Sequence, residues 1–241
     1  MNVSRLAVEL VVFDLTGTTV RDDGAIISAF RDALEQHGIP FLDADLARMR
    51  GASKMAVFQA LAERGMSDLR DEDAVRRAAE LAYRTFKERL GEAYTHGPLE
   101  EIPGAEATLR YLRERGVKVA ATTGLERELR DRVLERLGWQ EGIFDAAVSP
   151  DEVPQGRPAP YMIFQAMMRV GVADVRRIAV VGDTPLDLQA GTNSGAAWVV
   201  GVLTGAHGLE TLGSTRHTHI LNSVADMPRM LETPPALTML A

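Results

Sequence analysis

Residues 8–19 read VELVVFDLTGTT, and this stretch decides the fold. The run from Val8 to Phe13 is apolar and β-branched without strict alternation, which predicts a strand buried on both faces, as in a parallel sheet. Asp14 follows at the carboxyl end of that strand, where ligands bind in open parallel sheets. On this motif alone, an aspartate that caps a loop or helix is an equal alternative.

Similar apolar runs recur downstream, separated by amphipathic helical patterns. The runs are Val117–Ala121, Ile178–Val181, Trp198–Leu203 and a weaker one at His219–Leu221. The helical patterns each end at a glycine, and they cover Pro103–Arg115, Leu125–Leu137 and Pro160–Val170. This alternation predicts βαβ units and therefore an α/β fold with a Rossmann-like parallel sheet.

The segment of residues 22–98 interrupts this alternation. It contains three helical patterns and no convincing strand: Ala25–His37, Lys54–Arg64 and Glu72–Leu90. We therefore expect a helical cap domain of residues 22–98 inserted into a core domain of residues 1–21 and 99–241. The insertion explains a length of 241 residues, which lies between one domain and two. The tail Thr233–Ala241 is expected to be a loose terminus.

Composition excludes several classes of protein. The net charge of −7 argues against a nucleic-acid or anionic-membrane binder, since those need a basic face. The chain has no cysteine, so thiolate catalysis and cysteine-based zinc sites are excluded. No apolar stretch approaches the roughly 18 residues that span a bilayer, and no signal-peptide pattern follows Met1. We expect a cytoplasmic protein without nucleic-acid or membrane partners.

A second acidic motif supports a binding role for Asp14. The sequence VVGDTPLD places Asp183 just after the strand Ile178–Val181, with Asp187 four residues on. Two carboxylates at the ends of parallel strands can converge on one hard divalent cation, with Asp187 as a support or water-mediated ligand. Two unrelated loops are the less favoured alternative, because the same arrangement occurs twice.

Two further segments supply groups suited to an anion. Thr122, Thr123 and Gly124 end another strand, where hydroxyl and backbone N–H groups can hold anionic oxygens. Arg157 lies in the turn GRPAP before a helix and provides a fixed cation, unless it is a plain surface arginine.

Together, FDLTGT, AATTG, GRPAP and GDTPLD resemble the four motifs of the haloacid dehalogenase superfamily of phosphotransferases and hydrolases. The resemblance implies that Asp14 is a nucleophile that becomes an aspartyl-phosphate. It also implies a Mg²⁺ ion held by Asp14, the Thr16 carbonyl and Asp183, with Asp187 nearby. Thr123, the Gly124 N–H and Arg157 would hold the phosphoryl group. A non-catalytic sensor on this fold is the alternative from another class, and these residues disfavour it.

Position 16 departs from the superfamily's phosphatases, which usually carry a second aspartate there as general acid. Threonine cannot donate a proton at a useful pH. A small residue at this position resembles the phosphonoacetaldehyde hydrolase (phosphonatase-like) family, as do the segments GTTV, TTG, GRP and VGDTPLDLQAG. That family also has a cap lysine in Gly-x-x-Lys that forms a Schiff base, and Gly51 and Lys54 fit this spacing.

Three positions depart from that family's pattern. Arg50 stands in place of methionine, Val57 in place of histidine and Leu125 in place of tyrosine. Lys54 therefore has two open roles, as a Schiff-base former or as a cation that clamps an anionic substrate. The charge of Arg50 either favours a neutral Lys54 or binds a second anionic group of the substrate.

These observations predict a Mg²⁺-dependent hydrolase of a small anionic phosphonate or phosphate, similar to phosphonoacetaldehyde hydrolase. Iminium formation on Lys54 would let the C–P bond leave as an enamine, which removes the need for an acid at Thr16. The alternative is a phosphomonoesterase, such as a phosphoglycolate phosphatase, with Lys54 as the clamp. The resemblance also implies a homodimer formed through the cap.

Overall fold

The computed structural model describes residues 8–21, 23–67 and 71–232, without the side chains of residues 47 and 48. Asp22, where the cap was predicted to begin, and the tail Thr233–Ala241 lie outside the described residues. Six strands form one sheet: β1 Leu10–Asp14, β2 Lys118–Thr122, β3 Ala146–Val148, β4 Ile178–Gly182, β5 Trp198–Val202 and β6 His219–Leu221. Their order is β3-β2-β1-β4-β5-β6, and every neighbouring pair is parallel. The predicted α/β fold with a Rossmann-like sheet is confirmed.

The described residues between β1 and Gly97 form four helices. They are α1 Ala25–Gln36, α2 Asp43–Arg48, α3 Lys54–Gly65 and α4 Glu72–His96. The described parts of this segment contain no strand, as expected. Helix α2 was not predicted, because six residues are too few to show a helical period. The remaining helices are α5 Ala105–Glu114, α6 Arg127–Arg136, α7 Tyr161–Val170, α8 Pro185–Ser194, α9 Leu209–Gly213 and α10 Met227–Glu232.

Apolar side chains cover both faces of the sheet at β1. Val11 and Phe13 point into one hydrophobic cluster and Leu10 and Val12 into another, and all four are fully buried. This burial explains why the strand shows a continuous apolar run instead of alternation.

Four aromatic rings hold the long helices of the inserted segment together. Phe30 of α1, Phe58 of α3, and Tyr83 and Phe86 of α4 have ring centroids 4.5–6.0 Å apart. Aromatic pairs at such distances contribute about 0.5–1.5 kcal/mol each beyond their buried area. The cluster therefore fixes α1, α3 and α4 as one unit.

Strand register sets the position of the site. Asp14 is level with Thr122 of β2, and Phe13 is level with Val181 of β4. The strand order changes direction between β1 and β4, which is the point where open α/β sheets bind ligands. Residues that follow β1, β2 and β4 are therefore brought together at one edge.

Candidate active site

Arg157 connects two of the predicted acids. Its guanidinium lies 2.8 Å from Asp14 Oδ1 and 2.5 Å from Asp187 Oδ1, and it donates a hydrogen bond of 3.0 Å to Thr122 Oγ1. All three charged side chains are buried. Burying a charge is costly unless it is paired, so Arg157 compensates the negative charge of both carboxylates.

Asp183 is held from two loops. Thr18 Oγ1 donates to its Oδ1 at 3.2 Å, and the Ala206 N–H donates to its Oδ2 at 2.7 Å. The turn after Asp14 also passes close to this carboxylate. Gly17 has φ +94°, and a Cβ there would lie 2.5 Å from Asp183 Oδ2. Only glycine allows the turn to approach so closely.

Asp187 has both carboxylate oxygens engaged. Its Oδ2 accepts hydrogen bonds from Thr184 Oγ1 at 2.5 Å and from the Thr184 N–H at 3.1 Å, which forms the capping box of α8. Its Oδ1 faces Arg157. This geometry fits the supporting role considered for Asp187, and its role toward a metal stays a prediction.

The site acids repel one another. Burial raises the pKa of Asp14 most, Arg157 lowers it, and the charges of Asp187 and Asp183 raise it. Burial also raises the pKa of Asp183, and Asp187 adds to this, against the hydrogen bonds from Ala206 and Thr18. Buried, mutually repelling carboxylates fit a divalent cation, which would favour their ionised forms.

No group of three His, Cys, Asp or Glu side chains suited to a metal is found within the described ranges. A cation between Asp14 and Asp183 would thus also need other oxygen donors. The Thr16 carbonyl, which the resemblance implied, belongs to a residue that lines the same cavity as both acids.

One small cavity collects most of the predicted residues. It has a volume of about 40 Å³, and seven of them line it: Asp14, Thr16, Arg50, Lys54, Thr123, Gly124 and Asp183. Arg157 and Asp187 do not line it, and they lie against Asp14 and Thr184 instead. Apolar walls come from Ile26, Ile27 and Leu125.

The loop of residues 50–53 reaches this cavity by docking on two core loops. Gly51 has φ +83°, and a Cβ there would overlap Thr184 Oγ1. A Cβ on Gly124 would lie 2.5 Å from the Ala52 carbonyl oxygen. Lys54 begins α3 directly after this loop and is buried at the cavity. Two glycines thus allow the helical segment to close on the sheet edge.

The structure also places the positions that depart from the phosphonatase pattern. Leu125 lines the cavity, whereas Val57 is buried in the large hydrophobic cluster that also contains Phe13 of β1. The residue at position 57 therefore packs against apolar side chains.

Sequence reasoning missed Thr18, Thr184 and Ala206 as parts of the site. Thr184 lies inside the GDTPLD motif, so its position as the cap of α8 offered a signal. Ala206 contributes a backbone N–H, and its one signal is the glycine-rich loop TGAHG after β5.

Comparison with known proteins decides the family. Residues 8–195 match the model of haloacid dehalogenase-like hydrolases. Phosphonoacetaldehyde hydrolase from Bacillus cereus is 32% identical over 229 residues, which cover 88% of this chain and 81% of the relative. The chain belongs to the haloacid dehalogenase-like hydrolases. The expected similarity to phosphonoacetaldehyde hydrolases is confirmed, and the chain is a superfamily hydrolase.

Solved structures share the fold. A hydrolase from Pseudomonas syringae superposes with a TM-score of 0.80 at 21% identity, covering 92% of this chain and 97% of that one. A phosphonoacetaldehyde hydrolase-like protein from Oleispira antarctica gives 0.77 at 20% identity, covering 94% and 92%. Within the described residues of this hydrolase, no helix has the length and apolar character needed to cross a membrane.

Proposed function

We propose that this hydrolase cleaves a small phosphonate or phosphate through an aspartyl-phosphate at Asp14. The observation that carries the proposal is the shared cavity, in which Asp14 faces Lys54, Thr123 and Gly124 while Arg157 lies 2.8 Å from it. A nucleophilic carboxylate, anion-binding groups and a basic side chain together fit attack on an anionic phosphorus centre.

Each core residue has a role in that attack. Asp14 supplies the oxygen that bonds to phosphorus, and the Thr123 hydroxyl and Gly124 N–H hold the phosphoryl oxygens. Arg157 offsets the repulsion between a carboxylate and a dianion. Asp14, Asp183 and the Thr16 carbonyl would hold Mg²⁺, which supplies further charge neutralisation when bound.

For a phosphonate aldehyde, Lys54 provides the electron sink. Its amine condenses with the carbonyl and releases water, which gives an iminium. Asp14 then attacks phosphorus, the P–C bond breaks, and its electron pair moves into the enamine. Protonation of the enamine carbon and hydrolysis of the resulting iminium release the aldehyde, and water hydrolyses the aspartyl-phosphate. No alcohol leaves, so Thr16 need not act as an acid.

Residues 22–98 would act as a cap over this chemistry. The docking of Gly51 and Ala52 on Thr184 and Gly124 supports this assignment, because it closes the cavity from the helical side. A closed cap excludes water from the reacting groups. A homodimer through this cap and a cytoplasmic location stay predictions.

Trapping distinguishes the two roles of Lys54. The enzyme is incubated with phosphonoacetaldehyde and borohydride, and peptide mass spectrometry locates the reduced adduct. We expect the adduct on Lys54 and its loss in Lys54→Arg, with Lys118→Arg, on the exposed start of β2, as the matched control. If no adduct forms and Lys54→Arg hydrolyses phosphoglycolate like the wild type, the Schiff-base role is wrong. Activity that survives Asp14→Asn contradicts the aspartyl-phosphate.

A further inference from the structure

The cavity carries two cationic residues on the wall formed by the helical segment. Arg50 and Lys54 both line it, and Lys54 is buried. The charge of Arg50 also reaches the loop after β5, where it helps burial to lower the pKa of His207. Arg50 therefore belongs to the cavity wall on the side of the helical segment.

The phosphoryl group does not require Arg50. On the core side, Arg157 lies against Asp14, and Thr123 and Gly124 line the cavity beside it. Lys54 suffices for either role open to it, as Schiff-base former or as clamp. Arg50 therefore places a further cation at the cavity, in addition to the groups assigned to the phosphoryl group and to the two roles of Lys54.

The chemistry of arginine narrows its role further. A guanidinium does not lose its proton in proteins, so Arg50 cannot act as a general base or as a nucleophile. Its planar donors match a carboxylate, which they bind through two parallel hydrogen bonds. The phosphonatase pattern has an uncharged methionine at this position, which lacks this capacity.

The contacts of Gly51 and Ala52 with the core fix the position of the backbone beside Arg50. Gly51 contacts the Thr184 side chain and Ala52 contacts Gly124, so the backbone just after Arg50 is held between two core loops. Because the backbone beside Arg50 is held, its side chain starts from a fixed point at the cavity, which lowers the ordering cost of binding a substrate.

We propose that Arg50 binds a carboxylate of the substrate, so that this hydrolase prefers small phosphonates or phosphates that also carry a carboxylate. The inference deepens the proposed function and rests on its assignment of the cavity as the substrate site.

The size of the cavity agrees with a short substrate. One water needs roughly 10–15 Å³ of such space, so the cavity of about 40 Å³ admits only a small substrate. The apolar walls of Ile26, Ile27 and Leu125 suit a one- or two-carbon spacer.

Binding of two matched ligands tests the inference without turnover. Phosphonoacetate and isobutylphosphonate have the same number of non-hydrogen atoms and the same branching, and only the first carries a carboxylate. We expect calorimetry with Mg²⁺ present to give about 10- to 100-fold tighter binding of phosphonoacetate, the range for one charge-assisted contact. Arg50→Met should remove most of this preference and Arg50→Lys part of it. Arg89→Met, an exposed arginine of α4 paired with Glu92, is the matched control and should keep it.

Turnover of two substrates, phosphonoacetaldehyde and phosphonopyruvate, separates this inference from the proposed function. Phosphonopyruvate is phosphonoacetaldehyde with a carboxylate on the carbonyl carbon, and its hydrolysis gives pyruvate and phosphate. If phosphonopyruvate and phosphonoacetaldehyde are hydrolysed at equal rates and the two ligands of the binding experiment bind equally, the carboxylate site is wrong and the hydrolase function stands. If phosphonoacetate binds preferentially through Arg50 but no phosphonate or phosphate is hydrolysed, the proposed function is wrong and the carboxylate site stands. If Arg50→Met weakens both ligands equally, Arg50 serves the phosphoryl group, and the inference is overturned.

Discussion

Replacement of Gly51 by alanine tests whether the docked loop is the catalytic arrangement. The backbone there has φ +83°, which costs an alanine about 1–2 kcal/mol. The added methyl group would also overlap Thr184 Oγ1 and lie 3.2 Å from the Thr184 Cβ, so the loop must retreat from the core. A displacement of about 1 Å near reacting groups costs on the order of 100-fold in rate. We expect kcat/KM of Gly51→Ala to fall about 100-fold.

Alanine substitutions at two other glycines separate the effect of backbone strain from that of steric collision. Gly38 has φ +63°, and a methyl group there would have nothing within 4 Å, so Gly38→Ala is strained without touching a neighbour. Gly124 has no positive φ, but its methyl group would lie 2.5 Å from the Ala52 carbonyl oxygen, so Gly124→Ala collides without that strain. Gly124→Ala keeps the backbone N–H.

The assay combines steady-state kinetics with urea unfolding. Gly38→Ala and Gly51→Ala should both lose about 1–2 kcal/mol of unfolding free energy. Only Gly51→Ala and Gly124→Ala should lose about 100-fold in kcat/KM. If both keep the wild-type kcat/KM, contact between the loop and the core is not part of the reacting state, and the reasoning fails.

Three further changes probe a buried ion pair outside the site, the guanidinium of Arg157 and the metal. Glu152→Gln should cost about 3–5 kcal/mol of unfolding free energy at pH 7, because Glu152 lies 2.5 Å from the buried Arg130. Burial raises the pKa of Glu152, yet hydrogen bonds from Arg169 and the Ser149 N–H, with the charge of Arg130, lower it from 4.5 to about 2. Its stabilisation is therefore full above about pH 4.5 and lost toward pH 2, so the deficit of the variant should shrink as the pH falls; an unchanged deficit contradicts this origin. Arg157→Lys should lower kcat/KM by 100-fold or more, since one ammonium cannot hold the two acids as the guanidinium does; near-normal kinetics would show that a point charge suffices. Chelation by EDTA should abolish turnover and added Mg²⁺ should restore it, with unchanged circular dichroism; full activity in EDTA would exclude the metal.

The sequence predicted five of the six described strands from their apolar runs. Strands β1, β2, β4 and β5 each have five residues and coincide with predicted runs. Strand β3 was missed because Ala146–Val148 is short and two of its three residues are alanine, whereas the equally short β6 contains Ile220 and Leu221 and was predicted as a weaker run. A run so short has no measurable period, and pairing with a neighbour defines it.

Within the site, the sequence predicted side chains better than contacts. Asp14 ends β1, and Thr123 and Asp183 directly follow β2 and β4, in motifs that could be read directly. Ala206 acts through its N–H, which every residue except proline carries, so its identity gives no signal. The pairing of Asp187 with Arg157 joins the first turn of α8 to the turn before α7, and only the fold reveals it.

The docked loop and the nucleophile belong to one series of contacts. Gly51 meets Thr184, Thr184 donates to Asp187, and Asp187 pairs with Arg157, which lies 2.8 Å from Asp14. Retreat of the loop therefore frees Thr184 on the side that faces the helical segment. Buried ionic networks depend on every partner, so a shift of Thr184 changes how Arg157 is shared between the two acids. For this reason we expect displacement of the loop to lower kcat as well as substrate affinity.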